Sequence, residues 1–200
     1  MNSSLGPITG ILLAGGKSQR MGREKGTLEI GNHRMFEYPL GVLETICEEI
    51  LISSCSDLSS IAGHQVVCDE IKGIGPMGGI HSCLGQSTTD LNIVLSYDMP
   101  LVGEGLLRHL VAESHGWDAV IPALHQDKPE PLCALYRKSV LGAFRDLIKK
   151  GQYAVHQIIP LIKSRVLTID DRMAFYHPDL FLNINRQSDL DRLPSGFGYE

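Results

Sequence analysis

Lys17, Arg20, Arg23 and Lys25 put four cations within nine residues, opposed only by Glu24, directly after the glycine pair Gly15-Gly16. A basic run on a glycine turn suits an oxyanion. The glycines permit backbone angles that a Cβ would forbid, and the amides of such a loop can turn inward together as an anion-binding concavity. Ahead of it, Ile11 to Ala14 reads as a buried strand, so the loop falls where a first strand ends. The chemistry it offers is phosphate binding; the bland alternative is a basic surface turn. Two familiar phosphate motifs fail. A Walker loop ending at Gly16-Lys17-Ser18 needs its first glycine at residue 11, which is Ile11, and Gly10 lies one position early. The dinucleotide fingerprint fails because Gly15 and Gly16 are adjacent and the next glycine is Gly22.

Asp98 is the second residue with evident chemistry. It follows the apolar run Ile93-Val94-Leu95 and precedes Met99-Pro100, so its carboxylate emerges at a strand end. Close to a triphosphate, that position is suited to hold Mg²⁺; the alternative is a turn or helix-cap aspartate. Gly73-Ile74-Gly75-Pro76-Met77-Gly78-Gly79 carries more glycine than a turn needs, which lets a flat base or ribose lie against the backbone. It serves equally as a helix start packed closely on a sheet. Asp69, just before it, is placed to bond a ribose hydroxyl or to cap a turn. Pro129 to Tyr136 and Leu182-Asn183-Ile184-Asn185 are weaker signals; Asn183 and Asn185 on one face of a short strand would each offer a donor and an acceptor. No nucleophilic triad can be assigned among the histidines.

The elements that must position these residues alternate along the chain. After the loop, Phe36, Leu40, Leu43, Cys47 and Ile50 recur at helical spacing, followed by strands at Ile50 to Ile52 and Val66 to Cys68. A short helix runs from the glycine segment through Leu84, then come the strand at Ile93 to Leu95 and the helical stripe Leu106, Leu107, Leu110, Val111. Strands follow at Ala119 to Ile121 and Leu132 to Tyr136, and a helix from Val140 to Ile148 with Gly151 as its stop. Arg165 to Ile169 and Phe181 to Ile184 read as late strands, with a final helix at Ser188 to Leu193. This alternation predicts an α/β fold: one domain over residues 1–200, with a mostly parallel, doubly wound sheet and helices on both faces. Residues 1–7 and 194–200 are expected to be flexible ends. In such a sheet ligands sit at the carboxyl ends of the strands, and the opening loop, Asp69 to Gly79, and Asp98 all fall there.

Composition narrows the classes. Hydrophobic residues at 43% and charged residues at 20% give no indication of disorder, and a net charge of −5 argues against a general nucleic-acid binder. No apolar run approaches ~18 residues and the first residues lack a signal pattern, so no membrane partner is expected. The five cysteines, Cys47, Cys55, Cys68, Cys83 and Cys133, are scattered and odd in number, and the eight histidines form no ligand-spaced group. Structural zinc and a disulfide framework are therefore not expected, and a cytoplasmic protein with reduced thiols is.

Taken in order, Leu-Ala-Gly-Gly-x-Ser-x-Arg-Met-Gly-x-x-Lys from Leu13 to Lys25, Gly75-Pro76-Met77-Gly78-Gly79, Asp98-Met99-Pro100, the Pro129 to Tyr136 segment and Asn183-x-Asn185 resemble the molybdenum cofactor guanylyltransferases, within the MobA family of nucleotidyltransferases. The likeness spans about residues 8 to 193. It implies a Rossmann-like nucleotidyltransferase fold and transfer of GMP from GTP to the terminal phosphate of molybdopterin, with Mg²⁺ as cofactor. It further implies that Leu13, Ala14, Gly15, Gly16, Ser53, Asp69 and Gly78 contact the nucleotide, and that Lys25, with Lys17 and Arg20, meets the phosphates. Asp98 would bind Mg²⁺, and Asn183 and Asn185 would face molybdopterin. Transient contact with proteins that deliver or accept the cofactor belongs to the same expectation. Two departures stand out: Ser53-Ser54 replaces an asparagine at the end of the second strand, and Asn185 is followed by Arg186-Gln187 rather than Thr-Pro. The alternatives are a relative that uses CTP or a sugar-phosphate acceptor, and a non-catalytic GTP-binding module.

Overall fold

The computed structural model describes residues 6–15, 28–55, 63–125 and 128–198. Its strands are β1 (Ile8–Leu13), β2 (Glu29–Ile30), β3 (His33–Arg34), β4 (Glu49–Ser53), β5 (Gln65–Val67), β6 (Leu91–Ser96), β7 (Ala119–Leu124), β8 (Cys133–Arg137) and β9 (Ser164–Ile169). The α-helices are α1 (Glu37–Glu44), α2 (Pro76–Gln86), α3 (Glu104–Ala112) and α4 (Leu141–Lys149). Seven strands form one sheet in the order β5-β4-β1-β6-β8-β7-β9, and β2 and β3 pair separately. β8 runs antiparallel to β6 and β7, while the other sheet neighbours are parallel.

Alternation along the strands explains the layers. Successive strand side chains point to opposite faces, so Ile8 and Leu12 of β1 join Ile50, Ile52, Ile93 and Leu95 on one face. There they pack against Leu40 and Leu43 of α1 and Leu106, Leu107 and Leu110 of α3. Ile11 and Leu13 join Leu51 and Val94 on the other face, against Met77, Ile80 and Leu84 of α2 and Phe144 and Leu147 of α4. Both faces are covered, as a largely parallel sheet requires. Gly151, at φ 71°, follows α4 and ends it as expected.

Four expectations need correction. Phe181 to Ile184 joins no sheet; its Ile184 N–H donates instead to the Asp98 carbonyl at 2.9 Å. The final helix is a 3₁₀ helix, Gln187–Arg192, with the Asp189 carboxylate accepting the N–H groups of Asn185 and Arg186. The described part of the carboxyl-terminal tail is docked rather than frayed: Phe197 stacks on Tyr38 at 4.9 Å and the Gly198 carbonyl accepts the Asn32 N–H. Finally, Cys55 and Cys68 form a disulfide, their Cα atoms 4.6 Å apart. Neighbouring parallel strands bring them together, a juxtaposition that spacing along the chain does not encode. Among the described residues, no helix is long and apolar enough to cross a membrane.

Candidate active site

β1, β4 and β5 lie side by side and parallel, so their carboxyl ends share one edge. A cleft of about 510 Å³ opens there. Leu13, Ala14 and Gly15 form one wall, Ser53, Ser54 and Cys55 the next, and Asp69 with Lys72 and Gly73 a third. Gly75, Pro76 and Gly79, at the start of α2, close it. The main chain locks these walls together: the Ala14 N–H donates to the Ser53 carbonyl, and the Ser54 N–H to the Val67 carbonyl, each at 3.0 Å.

Glycine has two specific tasks here. Gly75 sits at φ +66°, a left-handed angle that turns the chain sharply into α2. Pro76 then occupies the first helical position, where its missing N–H costs nothing. Gly79 lets α2 approach the sheet: a Cβ there would stand 2.2 Å from Ser53 Oγ and 3.3 Å from Leu13 Cδ2. The amino end of α2 therefore lies over the strand ends, where its amide dipoles favour negative charge. Gly78 does not line the cleft but lies behind it, with Asp69 Oδ2 3.1 Å from where its Cβ would be.

Asp69 is half-buried, and burial raises its carboxyl above the ordinary value while the Ser53 hydroxyl, donating at 3.3 Å, pulls the other way. Burial wins because one long hydrogen bond from a neutral hydroxyl does not restore the lost solvation. Ser53, present where the resemblance leads one to expect asparagine, thus orients Asp69.

Asp98 stands two residues beyond β6, on the same edge. Ser96 Oγ donates to its Oδ1 at 2.6 Å. The Tyr97 N–H donates to the Leu13 carbonyl at 3.2 Å, which ties the segment carrying Asp98 to the strand that opens the cleft. The antiparallel register of β6 with β8, in which Leu95 faces Cys133, continues through a Ser96 N–H to Leu132 carbonyl bond and sets Glu130 across from Asp98. Burial raises the Glu130 carboxyl; the Leu132 N–H opposes this and the charge of Asp98 adds to it. Through Ile184, the Asn183 to Asn185 strip is anchored at Asp98. Ile184 is buried, Asn183 is half-buried with its side-chain amide on the Phe181 carbonyl, and Asn185 is exposed.

The described residues thus bring Leu13, Ala14, Gly15, Ser53 and Asp69 to one cleft, with Asp98 and the asparagine strip beside it. Gly16, Lys17, Arg20 and Lys25 lie outside the described residues. Gly73, Gly75, Pro76 and Gly79 line the cleft from within the glycine-rich segment expected to meet a base or ribose; Lys72 lines it without having been expected, and a cation just ahead of that segment was the available signal. Among the described residues no group of three or more His, Cys, Asp or Glu side chains gathers as a metal cage. The Asp98 carboxylate, on the same sheet edge beside the cleft, nevertheless fits Mg²⁺, which takes one or two carboxylates and completes its shell with phosphate oxygens and water.

A mostly parallel α/β sheet with a glycine-walled cleft and a strand-end carboxylate at its carboxyl edge has the arrangement of a nucleotide-binding protein. Among solved structures, the molybdopterin-guanine dinucleotide biosynthesis protein A of Archaeoglobus fulgidus is similar at a TM-score of 0.77 and 27% identity, over 92% of this chain and 95% of that one. The model of the MobA-like NTP transferase domain matches residues 10–164, and the chain belongs to that family. A protein of Pelotomaculum thermopropionicum named "Probable molybdenum cofactor guanylyltransferase" is 33% identical over 91% of this chain and 89% of its own length. The "Molybdenum cofactor guanylyltransferase" of Syntrophotalea carbinolica is 29% identical over 91% and 88%.

Proposed function

We propose that this protein transfers GMP from GTP to the terminal phosphate of molybdopterin, releasing pyrophosphate, in a reaction that depends on Mg²⁺. The observation that carries the reading is the direct main-chain link between cleft and carboxylate, from the Tyr97 N–H to the Leu13 carbonyl. It ties the cleft wall at the end of β1 to the segment that carries the Asp98 carboxylate beyond the neighbouring strand β6, an arrangement that supports seating a nucleotide in the cleft with its phosphates toward Asp98. The relatives' names supply the acceptor.

In this reading Leu13, Ala14, Gly15 and Ser53 hold the nucleotide, Asp69 accepts from a ribose hydroxyl, and Gly78 and Gly79 keep α2 close enough to cover it. Gly16, Lys17, Arg20 and Lys25 meet the phosphates, Asp98 holds Mg²⁺, and Asn183 and Asn185 face the pterin side. When bound, Mg²⁺ would neutralise phosphate charge and polarise the α-phosphoryl group. The acceptor phosphate is already anionic near neutral pH, so its attack on the α-phosphorus asks for no general base. The protein's contribution is then alignment of the two phosphates and placement of positive charge where pyrophosphate departs.

The test is pyrophosphate release with Mg²⁺ and molybdopterin, comparing GTP with CTP and ATP. Release with GTP, and only when the acceptor is present, is expected. A preference for CTP would overturn the base assignment, and tight GTP binding without release would overturn catalysis.

A further inference from the structure

Cys55 and Cys68 take no part in the chemistry above, yet their disulfide stands at the cleft. Cys55 lines it, two residues beyond β4, and Cys68 immediately follows β5. Cys55 Sγ accepts the N–H of Asp69 at 3.2 Å, and Asp69 in turn accepts from Ser53. The strand that delivers Asp69 is weakly held. Among the described residues β5 is a three-residue edge strand paired only with β4, and the Cys55–Cys68 bond adds a covalent cross-link between the Ser53 and Asp69 walls.

The two cysteines also differ chemically from the rest. Both are exposed, whereas Cys83 and Cys133 are buried and Cys47 is half-buried. Burial pushes the thiols of Cys47 and Cys83 up to about 12, and that of Cys133 well above its ordinary value. Since the thiolate is the reacting species, exchange is confined to the exposed pair. Exposed disulfides are the labile ones, and buried structural ones resist reduction.

We propose that Cys55 and Cys68 are a reversible dithiol–disulfide pair that sets how tightly the cleft holds its nucleotide, the disulfide form binding more tightly. The inference rests on reading the cleft as the nucleotide site. The oxidant is a small-molecule disulfide. One protein thiolate attacks it, forming a mixed disulfide and expelling one thiolate; the second protein thiolate attacks the protein sulfur of that mixed disulfide and expels the other. Two protein thiols lose two protons and two electrons, and the external disulfide takes up both as two thiols. Oxidation pre-organises the Ser53 and Asp69 walls; reduction leaves the edge strand held by its short ladder.

The experiment equilibrates the whole protein in glutathione buffers, counts free thiols by alkylation and mass shift, and measures GTP affinity by calorimetry in each form. The disulfide form is expected to bind GTP about fivefold or more tightly, within the usual range of coupling between two sites. Linkage is reciprocal, so saturating GTP should shift the pair's midpoint to a more negative potential by the same factor, about 20 mV for fivefold in a two-electron couple. The double variant Cys55→Ser/Cys68→Ser, which can form neither the internal bond nor a mixed disulfide at these positions, should bind like the reduced protein in every buffer. Equal affinity in the two forms, or failure of the pair to interconvert, overturns the switch while leaving the nucleotide site intact. Failure of either form to bind GTP overturns the reading of the cleft itself, and the switch with it.

Discussion

Asp98 and Asp69 are both carboxylates beyond strand ends, and their surroundings assign them different work. Asp98 is half-buried, oriented by the Ser96 hydroxyl, and its main-chain carbonyl rather than its side chain holds the Ile184 strip. Asp98→Ala therefore removes the carboxylate and leaves that anchor. Pyrophosphate release is expected to fall about 100-fold or more, the scale of losing one electrostatic stabiliser of a transition state, with a thermal midpoint close to wild type. Turnover near wild type would remove Asp98 from the reaction. Asp69 pays a burial penalty in its charged form. Its folded pKa is raised above the ordinary 3.8, so the folded state binds the proton more readily than the unfolded chain. Stability consequently falls as pH rises from that ordinary value through the raised one, and stays lower above it. Asp69→Asn should raise the thermal midpoint at neutral pH, lose that advantage below the ordinary carboxylate range, and weaken GTP binding at neutral pH. A midpoint unchanged at neutral pH would refute the burial argument. Asp98 was legible in the sequence because an apolar strand ending in Asp-Met-Pro delivers a carboxylate to an edge. The Cys55–Cys68 pair was not, because its closeness is a property of β4 lying beside β5.

The alternating pattern of apolar runs read out most elements, since a strand buried on both faces and an amphipathic helix leave different periods. Direction is another matter. β8 runs antiparallel between β6 and β7, and nothing in a buried run such as Cys133 to Arg137 records which way it points. The Phe181 to Ile184 segment has a strand's composition but spends its Ile184 N–H on Asp98, and Phe197 looks like a loose tail until Tyr38 supplies a ring to stack on. Where the sequence concentrates glycine, the structure returns a measurable reason. With its Cβ 2.2 Å from Ser53 Oγ and 3.1 Å from Ser53 Cβ, Gly79→Ala must push α2 outward or turn Ser53 away from Asp69. Overpacking of this kind costs about 1–3 kcal/mol, and GTP affinity should fall with it. Urea denaturation of Gly79→Ala, Ser53→Ala and the double variant tests the contact, because the Ser53→Ala change should recover much of the loss. Additive effects would mean that the close approach of α2 to Ser53 is not what the glycine provides.

At the scale of the whole molecule, the two apolar faces of the sheet hold the helices and leave the strand ends as the place where polar groups collect. The cleft is built from three successive strand ends and the start of one helix, so a nucleotide seated there bridges segments that are far apart along the chain. Such a ligand binds the folded form and has no site on the unfolded one, and it must stabilise the whole domain rather than one element. At a GTP concentration 100 times its Kd the gain is about 2.7 kcal/mol. For a domain of this size each kcal/mol moves the thermal midpoint by about 2–4 °C, which predicts a rise of about 5–10 °C. Scanning calorimetry with Mg²⁺ and GTP, repeated with CTP, measures it directly. A larger shift with GTP than with CTP would locate base selection in the walls around Ser53 and Asp69, where the side chain expected from the family resemblance is replaced by serine. Removing Mg²⁺ with a chelator should reduce the shift, since Asp98 and the triphosphate would then repel one another across the cleft rim. An unchanged midpoint at saturating GTP, with Mg²⁺ present, would mean that the glycine-walled cleft is not where this protein meets its nucleotide.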